Sequence, residues 1–139
     1  MAIYRAMPTS FKVELLQGIH DLTADTLKLA LYTNMASLGA GTTAYTTDGE
    51  VVGTGYTAGG KVLTNVIVTY TGTTAYMDCD NVTWLSPDFT TRGGLIYNAS
   101  KDNRAVAVLS FGSDQVAFAE PFMVVMPGQT AYNALVRLT

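Results

Sequence analysis

The glycine-rich stretch "GTGYTAGG", which begins at Gly53, comes closest to a motif with chemical function. A dinucleotide-binding loop has the pattern G-x-G-x-x-G between a strand and a helix, so that the helix N-terminus meets the pyrophosphate. Here Gly59 lies one residue too far from Gly55, and the strand-like "KVLTNVIV" follows. The Walker pattern also fails, because Val62 stands where a hydroxyl must reach magnesium. The spacing therefore favours a turn or β-bulge, with Tyr56 packed against a sheet edge.

Acidic residues cluster in "DCDNVTWLSPD", which begins at Asp78. An EF-hand calcium loop needs oxygen ligands at positions 1, 3 and 5 and a glutamate at position 12. Counted from Asp78, position 5 is Val82 and position 12 is Phe89, so the match ends after two ligands. On a strand, Asp78 and Asp80 would share one face, which predicts a solvated face. We predict no metal site and no cofactor, with calcium in an irregular loop as the alternative.

The single histidine and the single cysteine are the remaining candidates for catalysis. His20 lies beside Asp21, but a hydrolase triad also needs a positioned nucleophile, and no G-x-S-x-G motif is present. One histidine cannot form the usual zinc site. Cys79 lies between two aspartates whose charges disfavour its thiolate. We therefore predict a turn histidine, a small core cysteine, no catalytic residues and no enzymatic activity.

Short runs of β-branched and aromatic residues, separated by turn residues at spacings of about 8 to 12, dominate the sequence. They predict an all-β fold, an antiparallel β-sandwich or jelly roll of about seven to nine strands. One short helix is expected at 10–19, where apolar residues repeat every four positions. Alternating leucines predict a half-buried strand at 26–33, and 61–72 is expected to be one long strand. Asp102 and Asn103 are expected to form a hairpin turn.

The composition is poor in charge and rich in threonine. Charged residues make up 14% of the chain, against about 25% on average, and twenty threonines accompany eight lysines and arginines. Such a surface repels neighbours weakly, which suits a subunit of an assembly. The net charge of −3 predicts no binding to nucleic acid. The absence of a run of about 18 apolar residues predicts no membrane span, and the start of the sequence predicts synthesis and folding in a cytoplasm.

Two parts of the sequence are candidates for contact with a partner. Residues 1–9, "MAIYRAMPT", are expected to form an N-terminal arm that precedes a single domain at 10–139. The arm is apolar with one charge, and we expect it to lie on a neighbouring subunit rather than on its own domain. Trp84 precedes a turn and is either a core residue or an interface anchor. The predicted partner-binding residues are Ile3, Tyr4, Arg5, Met7 and Trp84.

The segments "FKVELLQGIHDLTADTLKLALYT", "EVVGTGYTAGGKVLTNV", "TTAYMDCDNVTW", "TTRGGLIYNAS" and "NRAVAVLSFG" occur in this order. This sequence resembles those of small virion structural proteins of tailed bacteriophages, from about residue 10 to about residue 137. The resemblance implies a capsid decoration, or cement, protein that binds the outer surface of the major capsid protein shell, commonly as a homotrimer. It also implies a location on the virion, assembly in the host bacterial cytoplasm and no small-molecule substrate.

Two other functions remain open at this point. Another virion component, such as a tail or head-fibre protein, would share the fold but contact a different part of the particle. A carbohydrate-binding module is the alternative from a different class, because sandwiches with exposed tryptophan and tyrosine bind sugars by stacking.

Overall fold

The structure, a computed structural model, describes residues 2–126 and 136–138. Within these residues the chain forms one short helix, α1 (Thr9–Leu16), and nine strands. The strands are β1 (Leu27–Tyr32), β2 (Lys61–Val62), β3 (Ile67–Thr71), β4 (Thr74–Asp78), β5 (Val82–Trp84), β6 (Asp88–Asn98), β7 (Arg104–Phe118), β8 (Phe122–Val124) and β9 (Val136–Leu138). The prediction of a mostly β fold with antiparallel sheets is confirmed. The apolar run "NALVRLT" also predicts a strand at 133–139, which lies partly outside the described residues.

The strands form three antiparallel sheets. Their strand orders are β2-β1-β6-β7, β3-β4-β9 and β5-β8. The long β6–β7 hairpin organises the largest sheet, and β1 pairs along the inner half of β6. At the hairpin turn, Asp102 and Asn103 have φ angles of 55° and 57°, so the predicted turn residues are confirmed. Asparagine and aspartate adopt this left-handed conformation more readily than other non-glycine residues.

Strand β1, in the middle of the four-stranded sheet, is buried on both faces, which differs from the expectation of a half-buried strand. Leu27, Leu29 and Leu31 face the main core, as their alternation predicts. Ala30 and Tyr32, on the opposite face, are also fully buried, in a second apolar cluster. The second face is covered by the N-terminal segment and by part of the loop between β1 and β2. These covering residues include Ile3, Ala36, Leu38 and Tyr45.

The N-terminal segment lies on its own domain, which differs from the expectation of an arm that reaches a neighbouring subunit. Ile3 pairs in parallel with Leu38, and Ala6 exchanges two backbone hydrogen bonds with Val108. The Ile3 side chain is buried in the second cluster, where it contributes apolar area that an isolated domain would otherwise expose. Helix α1 then begins at Thr9, so no linker separates the segment from the domain.

The predicted long strand at 61–72 is divided between two sheets. Lys61 and Val62 pair with β1, after which Leu63 turns inward and donates its N–H to the Leu27 carbonyl. Asn65, with φ of 52°, redirects the chain into β3. The burial of Leu63 therefore ends β2, and the turn at Asn65 lets β3 begin in another sheet. Among the residues described, no helix is long and apolar enough to cross a membrane.

Candidate functional site

The glycine-rich loop is closed by a buried carboxylate of the chain itself. The Oε2 atom of Glu50 accepts hydrogen bonds from the Tyr56 hydroxyl (2.5 Å) and from the Gly59 N–H (2.9 Å). Its Oε1 atom accepts one from the Tyr45 hydroxyl (2.6 Å). The Tyr56 oxygen in turn accepts the Leu31 N–H, so the loop is joined to β1. A loop amide that a bound phosphate would need is already bonded to a carboxylate, and that negative charge would repel an anion.

The glycines of this loop allow the backbone to approach β1 closely. Gly55, Gly59 and Gly60 have φ angles of 86°, 96° and 79°, which side chains rarely adopt. A Cβ atom on Gly60 would lie 1.8 Å from the Leu29 carbonyl oxygen. Glycine is therefore required at position 60 for two reasons: a side chain would collide with the backbone of β1, and side chains disfavour this φ angle. The loop has the geometry of a corner, in agreement with the interpretation of its spacing.

The tyrosines around Glu50 are hydrogen-bond donors rather than acids or bases. Burial raises the pKa of Tyr56 far above its usual range, and the hydrogen bond to Glu50 raises it further. Burial and the same carboxylate raise the pKa of Tyr45 in the same way. Tyr97 completes the cluster, donating to the Gly59 carbonyl at 2.6 Å. Protonated phenols that all donate inward hold the loop in place and leave no phenolate for catalysis.

A second buried polar network surrounds His20, whose side chain is fully buried. The Nε2 atom lies 2.8 Å from a carboxylate oxygen of Glu14, and the Nδ1 atom lies 2.9 Å from the amide nitrogen of Asn98. The amide nitrogen can only donate, so Nδ1 accepts and the hydrogen on Nε2 is donated to Glu14. Arg104 pairs with the other Glu14 oxygen at 3.0 Å. Both ring nitrogens are engaged, so His20 has no free nitrogen to act as a general base.

Asp25 continues this network toward the surface. Its carboxylate accepts hydrogen bonds from the Asn98 amide (2.7 Å), the Asp21 N–H (3.0 Å) and the Lys101 ammonium (2.9 Å). Burial alone would raise the pKa of Asp25, but these hydrogen bonds and the lysine charge together lower it to about 2. The ionised carboxylate therefore stabilises the folded state, because it joins the loop before β1 to the β6–β7 turn.

Acidification is expected to destabilise the protein through Asp25. The usual pKa of its carboxyl is 3.8 and its folded-state pKa is about 2, so the stabilisation is complete above pH 4 and is lost as the pH falls to 2. The loss is at most about 2 kcal/mol and is reduced by solvent screening of the half-exposed Lys101 ammonium. Urea unfolding between pH 2 and pH 7 would measure it, and Asp25→Asn should flatten this dependence. Asp102→Asn, an exposed change at a turn that asparagine tolerates, should retain it. An unchanged pH dependence in Asp25→Asn would contradict the assignment.

The acidic cluster does not form a common face or a metal site in the described residues. Asp78 is buried, whereas Asp80 is exposed and accepts hydrogen bonds from Thr64 and Asn65, so the prediction of one solvated face is wrong. The side-chain oxygen of Asn81 accepts the Met126 N–H. Within residues 2–126 and 136–138, no three His, Cys, Asp or Glu side chains come together as metal ligands.

Cys79 is a buried core residue. Burial raises the pKa of its thiol to about 11, and the charges of Asp78 and Asp80 contribute to the rise. The side chain is therefore a protonated thiol at neutral pH. It lacks the exposed, positively charged surroundings that activate nucleophilic cysteines.

Trp84 is a core residue and not a surface anchor, which corrects its place among the partner-binding candidates. Its side chain is 1% exposed and stacks near Tyr56, with ring centroids 6.1 Å apart. Phe122 packs on the same ring, and the Lys61 ammonium lies 5.7 Å from its centre. The β5–β8 pair turns this large aromatic inward, where it contributes more buried apolar area than it could at an edge.

The four candidates in the N-terminal segment divide into buried and exposed residues. Ile3 is buried, and Met7 is partly buried against the main core. Tyr4 is 69% exposed and Arg5 is also exposed. Of the residues predicted from the sequence to bind a partner, only Tyr4 and Arg5 therefore present accessible side chains in this structure.

Exposed apolar side chains, which the sequence interpretation missed, include residues of two strand surfaces, on β3 and on β7. On β3, Ile67, Val68 and Tyr70 are between 48% and 74% exposed. On the outer half of β7, Val116 and Phe118 are 77% and 68% exposed, and they occupy the same face of the strand. The uncharged run "NVIVTYTG" is the signal that could have revealed the first surface.

A groove of about 480 Å³ lies next to the first surface, between the end of α1 and the sheet that contains β3 and β4. Its lining is mostly apolar and includes Leu15, Leu22, Val68 and Met77. His20 also lines it, but both of its ring nitrogens are engaged. The groove therefore offers apolar contact area rather than reactive groups.

Comparison with known proteins gives no relative for this chain: no protein family, no curated protein and no solved structure matches it.

Proposed function

We propose that the protein is a non-enzymatic structural subunit of a tailed-phage virion. In this proposal it is a capsid decoration protein that binds the outer surface of the major capsid protein shell and bridges neighbouring capsomers. The observation that carries the proposal is the contrast between the surface and the interior. Apolar side chains are exposed on strands β3 and β7, whereas Glu50, His20 and their partners are engaged within the domain. Exposed apolar patches mark sites of protein interaction.

The finer architecture belongs to the same proposal. The main core draws buried side chains from all three sheets, including Leu29, Met77, Trp84 and Val136. Sheets that share one core pack face to face, so we propose an antiparallel β-sandwich. A rigid unit of this kind can transmit load between the proteins it bridges.

A protein that stabilises a capsid shell needs a large interface with the capsid proteins rather than reactive groups. A standard interface of about 1,600 Å² holds by apolar and hydrogen-bonded contacts, and threonine-rich surfaces with few charges lose little on being covered. A homotrimer that touches several capsid subunits gains further, because each later contact is effectively intramolecular. The charge-poor composition supports such repeated contacts.

The alternative functions receive different support. Burial of Trp84 removes the tryptophan from the expected sugar-stacking surface, which weakens the carbohydrate-binding alternative. A tail or head-fibre role would use the same exposed strands, and only the location on the particle separates it from the capsid role.

The exposed face of β7 gives a direct test of attachment. The purified protein is expected to be a trimer by light scattering and to bind shells that lack it, with electron cryo-microscopy locating it on the capsid. Val116→Ser combined with Phe118→Ser should weaken shell occupancy by about tenfold or more, since it removes two apolar side chains worth roughly 1.5 kcal/mol or more each.

Leu16→Ser is the matched control, because Leu16 is 92% exposed and lies on α1, which packs near the other end of β7. It should bind shells normally. A strict monomer that does not bind shells, or density for this chain only in the tail, would reject the capsid proposal.

A further inference from the structure

Among residues 2–126 and 136–138, strand β3 has one edge that no other strand covers. It is the end strand of the three-stranded sheet, with β4 on one side, and all five of its residues are exposed. Exposed edges are templates for pairing with another chain, and proteins usually protect them with charged residues or proline. In the four-stranded sheet both edge strands carry such protection, since β2 contains Lys61 and β7 contains Arg104 and Asp114. Strand β3, "IVTYT", has no charged residue and no proline.

The hairpin turn determines which backbone groups point away from β4. Gly72 and Thr73 form a two-residue turn, in which Gly72 has φ of 60°. The flanking pair Thr71 and Thr74 is therefore a hydrogen-bonded pair, and hydrogen-bonded positions alternate along β3. Thr69 bonds to β4 in this pattern. The N–H and C=O groups of Val68 and Tyr70 point outward to the free edge.

We propose that this edge pairs with the same edge of a second copy of the chain, antiparallel and with the twofold axis at Thr69. In this register Val68 lies opposite Tyr70 of the partner subunit, and the two residues exchange their free backbone hydrogen bonds. Their side chains share one face, so β-branched and aromatic side chains meet across the contact, a favourable cross-strand pair. Thr69 lies opposite Thr69 of the partner subunit on the other face.

Charge and shape favour a second copy of the chain as the partner of the free β3 edge. A twofold contact places each residue opposite its own copy or its mirror position, and a strand without charges brings no like charges together there. Val66 and Gly72, which flank β3, are also uncharged. The apolar face of β3 continues into the groove beside Val68, so pairing extends an apolar surface that already exists. The edge is thus complementary to itself.

Such a contact joins subunits in pairs, which complements rather than replaces a trimer. An isologous interface closes on two subunits, so in an assembly of trimers it would connect one trimer to the next. Only this place in the particle rests on the proposed capsid function. The pairing itself is a weaker contact of the purified protein, formed at concentrations above those at which light scattering measures the trimer.

Cysteine cross-linking tests the contact and its register. At the twofold axis Thr69 and its copy form a non-hydrogen-bonded pair with Cα atoms about 4.5 Å apart, which suits a disulfide. Purified Thr69→Cys should therefore form a disulfide-linked dimer under mild oxidation. Thr71→Cys is the matched control: it lies opposite Ile67 of the partner subunit, and the two introduced cysteines are about 13 Å apart. Its cross-linking should be slower by about tenfold or more, since backbone movement would be needed.

The buried native Cys79 is present in both variants and cancels in the comparison. Equal cross-linking of the two variants would reject the register, and no cross-linking of folded Thr69→Cys at high concentration would reject the contact. Shell binding gives the separate readout. Cross-linking without shell binding would leave the edge contact standing and reject the capsid function, whereas shell binding without cross-linking would reject the contact alone.

Discussion

Replacing Gly60 by alanine is expected to prevent the chain from reaching this fold. The added Cβ atom would lie 1.8 Å from the carbonyl oxygen of Leu29 and 2.5 Å from its carbonyl carbon. These are backbone atoms of β1, which is held in the middle of a sheet by pairing with β6. The backbone at Gly60 and strand β1 cannot move apart without breaking the pairing of β1 with β2. The cost should exceed about 5 kcal/mol, which is comparable to the whole stability of a small domain.

Gly18→Ala separates the effect of contact from the effect of backbone conformation. Gly18 has φ of 72°, close to that of Gly60, but no atom of the described residues lies within 4 Å of the position of its Cβ. Gly18→Ala should therefore lower the free energy of unfolding by only about 1 to 2 kcal/mol, the cost of a left-handed conformation for alanine. Circular dichroism and urea unfolding of both variants would measure the difference. Gly60→Ala with the stability of Gly18→Ala would show that the loop does not approach β1 as closely as this.

Removing the carboxylate of Glu50 is expected to have the second largest effect. In Glu50→Ala the hydroxyls of Tyr45 and Tyr56 and the N–H of Gly59 lose their acceptor in a buried place. Each unsatisfied buried group costs about 1 to 3 kcal/mol, so we expect a loss of about 3 to 5 kcal/mol in the free energy of unfolding. The midpoint of urea unfolding would report this loss.

Two variants control for charge and for shape. Asp48→Ala removes the same charge from an exposed position two residues away and should change stability by about 0.5 kcal/mol or less. Glu50→Gln keeps one acceptor oxygen, and its amide nitrogen can no longer accept the Tyr45 hydroxyl, which must turn to accept instead. Its stability should therefore lie between those of Glu50→Ala and Asp48→Ala. If Glu50→Ala proves no less stable than Asp48→Ala, the carboxylate does not hold the loop.

Local patterns in the sequence predicted the parts of the fold that local rules determine. The alternation of leucines in β1 and the turn at Asp102 and Asn103 follow from backbone preferences that act over a few residues. Burial of the second face of β1 was missed, because the covering residue Ile3 lies more than twenty positions away and carries no periodic signal. The bend at Leu63 was missed for a related reason: the run continues in β-forming residues, and only the core decides where it leaves the sheet.

The polar networks were less predictable than the strands. The glycine spacing correctly indicated a corner, but nothing in it identifies Glu50 as the residue that closes the loop. The bond between His20 and Asn98 joins positions 78 residues apart, so a single sequence offers no local pattern for it. The exposed strand β3 was predictable as a strand but not as an edge, because edges are defined by sheet order and not by composition.

The pairing of Ala6 with Val108 has a consequence for the order of folding during synthesis. The ribosome makes the segment around Ala6 long before its partner strand β7, and at about 5 to 20 residues per second the delay is roughly 5 to 20 seconds. Until then the face of β1 that carries Tyr32 lacks its complete cover. The nascent chain therefore exposes an apolar sheet face for seconds, and this interval is when chaperone binding would matter most to its yield.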